Sequence, residues 1–234
     1  MLEKVDLHRR LPKEEYKTRL PALRQRLAIL ETECWKNQVG SLIVFEGWDA
    51  SGKGRCIELL TEKIDPRGFR LHAVLPPRTY EQHLPWLHRF WLRVPEYGQI
   101  ALFHRSWYRR VLEDRVEKIL PKGQWQDAYH DISGFERALA DDGYVIVKLF
   151  LHISRKEQER RLKKLEKDRM TRWQVRPEDW ERHAKYRHYL DASEEMLEKT
   201  NSEWAPWTIV ESNDRCWSRI KVFDTVIAAL DGAL

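Results

Sequence analysis

The sequence predicts an α/β fold with a mostly parallel sheet covered by helices on both faces. Three observations lead there. Short apolar runs recur along the chain, stretches of helical period separate them, and the first run ends in a glycine-rich turn that opens a helix. Taken in order, Leu20, Leu23, Leu27 and Leu30 share one face of a helix over 14–36. Ser41–Phe45 is a β-branched run that reads as a buried parallel strand, and helix-period residues follow from Lys53 to Ile64. Further strands are expected at Arg70–Leu75, Gln99–Phe103, Tyr144–Ile153 and Trp207–Glu211, with helices near 80–93, 108–120 and 125–141. Right-handed crossovers then bring the loops after the strands to one edge of the sheet. A long charged helical region, 155–199, precedes the last strand, and its segment 155–185 has the length and charge of a lid. No repeat or linker interrupts 1–234, so a single domain is expected.

Composition narrows the function classes. Hydrophobic residues make up 42% and charged residues 34% of the 234, which fits neither a disordered chain nor a membrane protein. No apolar run approaches the ~20 residues of a membrane helix. The first residues, MLEKVDLHRR, lack an apolar signal core, so a cytoplasmic location is expected. Cys34, Cys56 and Cys216 are scattered and read as reduced thiols. The net charge of +5 is concentrated: Arg155 to Arg172 holds nine Lys or Arg against four Asp or Glu, leaving the rest near zero. A local excess of this kind points to a local polyanionic partner. The nine histidines show no metal spacing, and His183 and His188 are expected to be solvated. Trp173, Trp180, Trp204 and Trp207 are expected to pack the lid and last strand.

Gly47-Trp-Asp-Ala-Ser-Gly52-Lys53 fits the first seven positions of the phosphate-binding pattern G-x-x-x-x-G-K-[ST] in the required strand–loop–helix context. Glycines let the backbone wrap phosphate oxygens, so Gly47, Ala50, Ser51, Gly52 and Gly54 are assigned to phosphate binding, and Lys53 to the transferring phosphate. The eighth position is Gly54, where a hydroxyl would normally hold Mg²⁺. Asp49, inside the loop, either supplies that ligand or hydrogen-bonds the loop amides. Arg105, after the strand 99–103, is placed to clamp phosphoryl oxygens. Arg109 and Arg110 either reach substrate or are solvated, and of the two Arg109 is assigned to phosphate or polyphosphate. Arg160, Lys163, Lys164, Arg169 and Arg172 on the lid form either a track for an extended polyanion or a solvated face paired with Glu157, Glu159 and Glu166. Arg78 and Thr79, after the second strand, are assigned to a nucleotide, and Glu46 to Lys53 or a metal.

These residues carry a resemblance. Phe45-Glu-Gly-Trp-Asp-Ala-Ser-Gly-Lys-Gly54, Arg105-Ser-Trp-Tyr108, Arg172-Trp173, Asp179-Trp180, Tyr186 and Ala205-Pro-Trp207 occur in the order seen in family-2 polyphosphate kinases, and the chain is similar to them over roughly 15–232. The resemblance implies a P-loop kinase fold of thymidylate-kinase type: a five-stranded parallel sheet with helices on both faces and a helical lid. It implies Mg²⁺-dependent, reversible transfer between inorganic polyphosphate and a nucleotide, with Mn²⁺ as a substitute metal and AMP or ADP as acceptor, adenine or guanine being the base. Trp125 through Asp179 looks most similar to monophosphate-phosphorylating members, so AMP is favoured. Homo-oligomers are usual in the family. Neither nucleic acid nor membrane is an expected partner. One position departs: many members carry Asp just before Arg-Ser-Trp-Tyr, and here it is His104. A neutral imidazole accepts a proton but suits Mg²⁺ poorly, so His104 either positions the acceptor or marks a weakened enzyme. The other readings open at this stage are a nucleotide kinase that uses ATP and a binding protein for nucleotide or polyphosphate.

Overall fold

A computed structural model describes residues 2–234. Five strands, β1 (Ser41–Gly47), β2 (Phe69–Ala73), β3 (Ile100–His104), β4 (Val145–His152) and β5 (Trp207–Glu211), form one sheet in the order β2-β3-β1-β4-β5. Every pairing is parallel. β1 is central, paired with β4 over its full length and with β3 over Ser41–Phe45, and covered on both faces, which is why its burial is continuous rather than alternating. Two apolar layers flank the sheet. Ile43, Phe45, Leu102, Leu149 and Val210 face α1 (Lys13–Lys36), α2 (Lys53–Thr61) and α9 (Arg215–Asp231). Leu42, Val44, Phe103, Ile146 and Phe150 face α5 (Lys122–Asp141), α8 (Tyr186–Thr200) and the segment around Trp107 and Tyr108. The alternation of side chains along each strand assigns neighbours to opposite layers.

Two expected long helices are broken. Over 80–93 there is a 3₁₀ turn, Thr79–His83, and a single turn, α3 (His88–Trp91), because Pro85 cannot continue a helix between them. Over 108–120 a 3₁₀ turn, Trp107–Arg110, capped by the Ser106 hydroxyl, is followed by α4 (Glu113–Val116). The region 155–199 is also three pieces: α6 (Arg155–Lys167), α7 (Pro177–Ala184), which Pro177 starts at its first turn, and α8.

A buried polar cluster ties these parts together. Lys148, mid-β4 and fully buried, donates to Glu136 Oε2 (2.7 Å), the Tyr108 hydroxyl (3.0 Å) and the Thr200 carbonyl (2.7 Å). Glu136 Oε1 accepts from Trp107 Nε1 (3.0 Å) and Tyr108 (2.6 Å). α5, β4, α8 and the segment after β3 thus meet at one buried ion pair whose groups are all satisfied.

Candidate active site at the phosphate loop

The loop from Gly47 to Gly54 lies at the carboxyl edge of β1. Gly47 has φ +115, and a Cβ there would come within 2.3 Å of the Leu151 carbonyl on β4, so only glycine fits. Gly52 (φ +108) caps α2 in open space, leaving the first amides of that helix accessible to an anion. Ala50 also takes a left-handed φ of +59. The Ser51 hydroxyl is buried with no hydrogen-bond partner among the described residues. Lys53 is buried, and its amine donates to the carbonyls of Gly47 and Trp48, both at 2.7 Å. Burial brings this amine down to about 8.

Asp49 is the junction of the site. It accepts from Arg105 Nη2 (2.5 Å) and from Arg182 Nε (2.6 Å), which reaches in from α7. Burial pushes the Asp49 carboxyl up, but Arg105, Arg182 and Lys53 outweigh it and hold the group down at about 2. Arg105 also pairs with Glu113, and Arg182 with Asp179. Arg105 sits at φ +63, a conformation uncommon for any residue but glycine, so the backbone turns sharply to present this guanidinium. Glu46 accepts from the Ser106 hydroxyl (2.7 Å), and burial next to Glu113 raises it to about 7. It therefore makes its hydrogen bond to Ser106, not to Lys53. A cavity of about 40 Å³ is lined in part by Glu46, Asp49, Arg105, Glu113 and Arg182.

His104 ends β3 between Phe45 of β1 and Ala73 of β2. Burial, Lys53 and Arg105 depress it to about 4, so the ring is neutral at pH 7. His152, which accepts from Trp48 Nε1 at 2.7 Å, is likewise depressed by burial to about 4. Both folded values lie below the ordinary 6.5, so their stabilisation is complete above pH 6.5 and is lost as pH falls through 4. Glu46 acts in the opposite sense, its contribution fading as pH rises through about 7. His152→Asn should therefore show a shallower fall in urea midpoint between pH 6.5 and 4 than the parent. Parallel profiles by circular dichroism would remove the assignment.

The arm formed by α6 and α7 differs from the sequence reading in several ways. Arg160 pairs with Glu157 and Lys163 with Glu159 (2.5 Å), the paired alternative for both. Glu166 accepts from Trp180 Nε1 (2.7 Å) instead of a cation. Lys164, Lys167, Arg169 and Arg172 are exposed, with no ion-pair partner among the described residues, so the unpaired cationic stretch is shorter than the sequence suggested. Trp173 is 75% exposed rather than packed. His183 is buried, not solvated, and its Nδ1 lies 2.8 Å from Gln158 Oε1, while Gln158 Nε2 donates to the Asp49 carbonyl (3.3 Å). Arg109 pairs with Asp114 (3.0 Å), and Arg110 lies over the Trp86 ring, so neither is solvated. Arg78 and Thr79 are exposed in the loop after β2, and the Arg78 amide donates to Glu81 (2.8 Å).

The roles of two arginines escaped sequence reasoning, Arg161 being read only as one of the lid cations. Arg182 is 133 positions from Asp49, and spacing does not single it out among the many lid cations. Arg161 is 2% exposed and donates to the carbonyls of Ala50 (3.1 Å), Ser51 (2.9 Å) and Asn213 (3.1 Å). A signal for Arg161 did exist: Gln158, Arg161, Leu162 and Leu165 follow the i, i+3, i+4, i+7 spacing of an inward helix face.

A hard dication fits this donor set. Among the described residues no three His, Cys, Asp or Glu side chains converge as a ready-made cage. Mg²⁺, however, is usually held by one or two carboxylates with substrate phosphates. Asp49 would turn an oxygen from Arg105 or Arg182 to such an ion, and Glu113 Oε2 is buried with no hydrogen-bond partner among the described residues.

A glycine-rich loop between a central strand and a helix, beneath a helical arm and at the carboxyl edge of a parallel sheet, defines the P-loop kinase class. Residues 10–234 match the profile of Polyphosphate kinase 2. The chain belongs to the polyphosphate kinase 2 family. It is 38% identical over 233 residues to a polyphosphate:AMP phosphotransferase of Pseudomonas aeruginosa, covering 100% of this chain and 47% of that protein. The crystal structure of a polyphosphate kinase 2 from Pseudomonas aeruginosa PA01 superposes with a TM-score of 0.96 at 38% identity, over 99% of this chain and 50% of that one. That of Polyphosphate Kinase 2 from Arthrobacter aurescens TC1 gives 0.95 at 31% identity, over 99% and 85%. The chain spans about half the length of the curated relatives it matches first. No helix among the described residues is long and apolar enough to cross a membrane.

Proposed function

We propose that this chain transfers a phosphoryl group from inorganic polyphosphate to a nucleotide, with AMP as the preferred acceptor, and runs the reaction in reverse as well. The observation that carries the reading is the junction at Asp49, where one loop carboxylate gathers Arg105 from the sheet edge and Arg182 from the arm around the phosphate loop. The terminal phosphate of the polyanion would lie on the amides of 47–54, with Lys53, Arg105 and Arg182 facing its oxygens. Asp49, aided by Glu113, would hold Mg²⁺ or Mn²⁺, which supplies charge neutralisation on the phosphates. The exposed Lys164, Lys167, Arg169 and Arg172 would carry the distal polyphosphate. Closure of the arm would exclude water, and transfer in line needs little from the protein beyond position and charge. Similarity to a polyphosphate:AMP phosphotransferase supports the acceptor.

The neutral His104 favours a second reading, a protein that binds nucleotide or polyphosphate with little turnover. A donor–acceptor matrix separates the two: polyphosphate or ATP against AMP, ADP, GMP and GDP, with products resolved by chromatography. Polyphosphate with AMP should yield ADP fastest. Turnover with ATP alone would make the chain an ATP-dependent nucleotide kinase, and binding without turnover in any pairing would select the binding protein.

A further inference from the structure

Two guanidinium nitrogens, Arg109 Nε and Arg110 Nε, are buried without a hydrogen-bond acceptor among the described residues, and a third, Arg89 Nε, has only Glu81 at 3.4 Å, beyond a good hydrogen bond. Buried donors of this kind carry a desolvation cost that an anion would relieve. They belong to one neighbourhood. Arg89 Nη2 donates to the Leu75 carbonyl (3.0 Å), where the chain leaves β2; Arg110 lies over the Trp86 ring, which packs edge-on against Phe90, the residue after Arg89; and Arg109 is among the charges that act on Arg89. The Val74 amide donates to the His104 carbonyl (3.1 Å), so this loop starts beside His104. β2 adjoins β3 on the side away from β1, so this loop leaves the sheet on the far side of His104 from the phosphate loop.

Its charges do not balance. Glu81 serves both Arg89 (3.4 Å) and Arg93 (3.3 Å), and Asp114 serves Arg109 (3.0 Å). Arg110 has no carboxylate at ion-pair distance among the described residues and lies 4.8 Å over the Trp86 ring, whose Nε1 is hydrogen-bonded to Asp131 (2.9 Å). Four guanidiniums therefore stand against Glu81, Asp114 and Asp131, the last acting on Arg110 without pairing with it. A phosphate monoester, with its second pKa near ~6, is anionic at neutral pH and offsets that excess. A guanidinium fork meets a pair of its oxygens with two parallel hydrogen bonds, which an amine cannot do.

We propose that Arg89, Arg109 and Arg110 form a second phosphate site, separate from the 47–54 loop, that takes the phosphate monoester of the acceptor nucleotide. The site deepens the reading above and rests on it. Arg109, assigned from sequence to polyphosphate, belongs to the acceptor side, and Arg89 and Arg110 join it. The end of a polyphosphate chain offers the same chemistry, so the test includes both ligands.

The experiment is titration calorimetry on the intact chain without turnover, using AMP, adenosine and tripolyphosphate as separate probes. Arg89→Met should weaken AMP about 10-fold or more and leave adenosine and tripolyphosphate unchanged. Arg109→Lys keeps the charge next to Asp114 and removes the fork, and should weaken AMP by a smaller factor, about 5-fold, even if the first variant fails to fold. AMP affinity equal to the parent in both variants, or no AMP binding by the parent, overturns the site. Tripolyphosphate weakened as much as AMP also overturns it, giving the cluster to the donor. Because no product is measured, a negative result here is distinct from an inactive donor–acceptor matrix.

Discussion

Lys53→Ala should reduce polyphosphate-dependent transfer to AMP by about 10³-fold or more, the scale of losing a preorganised charge at a developing phosphoryl anion. The amine is the only cation of the site that springs from the loop itself, and it is buried among that loop's carbonyls at 2.7 Å. Burial already brings it down to about 8, so the fold bears a cost for keeping it charged. Its removal trades two hydrogen bonds for relief from that desolvation, and stability should change by only ~1 kcal/mol. The check is single-turnover product formation beside a thermal melt. Retained activity in a folded variant would break the assignment of the loop, whereas lost activity with a collapsed melt would show that Lys53 serves the fold.

The largest stability effect is expected from Lys148→Met, some distance from the chemistry. It leaves Glu136 fully buried and facing only Trp107 and Tyr108, where burial already pushes its carboxyl up. Removing one partner of a buried pair typically costs ~3–5 kcal/mol. For a chain of this size that corresponds to a Tm lower by about 10 °C. Adding Glu136→Gln should recover part of the loss, since the amide oxygen can still accept from Trp107 and Tyr108 without a buried charge. Calorimetric scans of the single and double variants decide it: a single variant as stable as the parent would mean that the ion pair carries no net weight in the fold.

The strands were legible because each is a compact apolar run, and β4 remained so even with Lys148 inside Val-Ile-Val-Lys-Leu-Phe-Leu. The phosphate loop was legible because its glycines and lysine follow a fixed spacing between a strand and a helix. What sequence could not supply was direction. Arg160 and Arg161 are neighbours of equal charge, yet one is in solvent and the other is 2% exposed against loop carbonyls. The lid histidine His183 read as solvated because its neighbours are charged, and only packing on Gln158 draws it inward. Asp49 could be marked as unusual, but not that two arginines, 56 and 133 positions away, would meet on it. The stretches 80–93 and 108–120 were misread as single helices, the first because Pro85 interrupts it, while the strand between them was read correctly.

Arg161 has a mechanical consequence. Its guanidinium threads together the backbone of the phosphate loop and that of the turn after β5, at Ser212 and Asn213, while its Nε grips Glu157 on α6. The near half of the arm is thereby riveted to the sheet, and swinging it would strip several buried donors of their acceptors at once. Any gate must pivot further out, in 168–176 between α6 and α7, where the far half is moored to the phosphate loop by Arg182 on Asp49, a contact that an arriving anion can compete for.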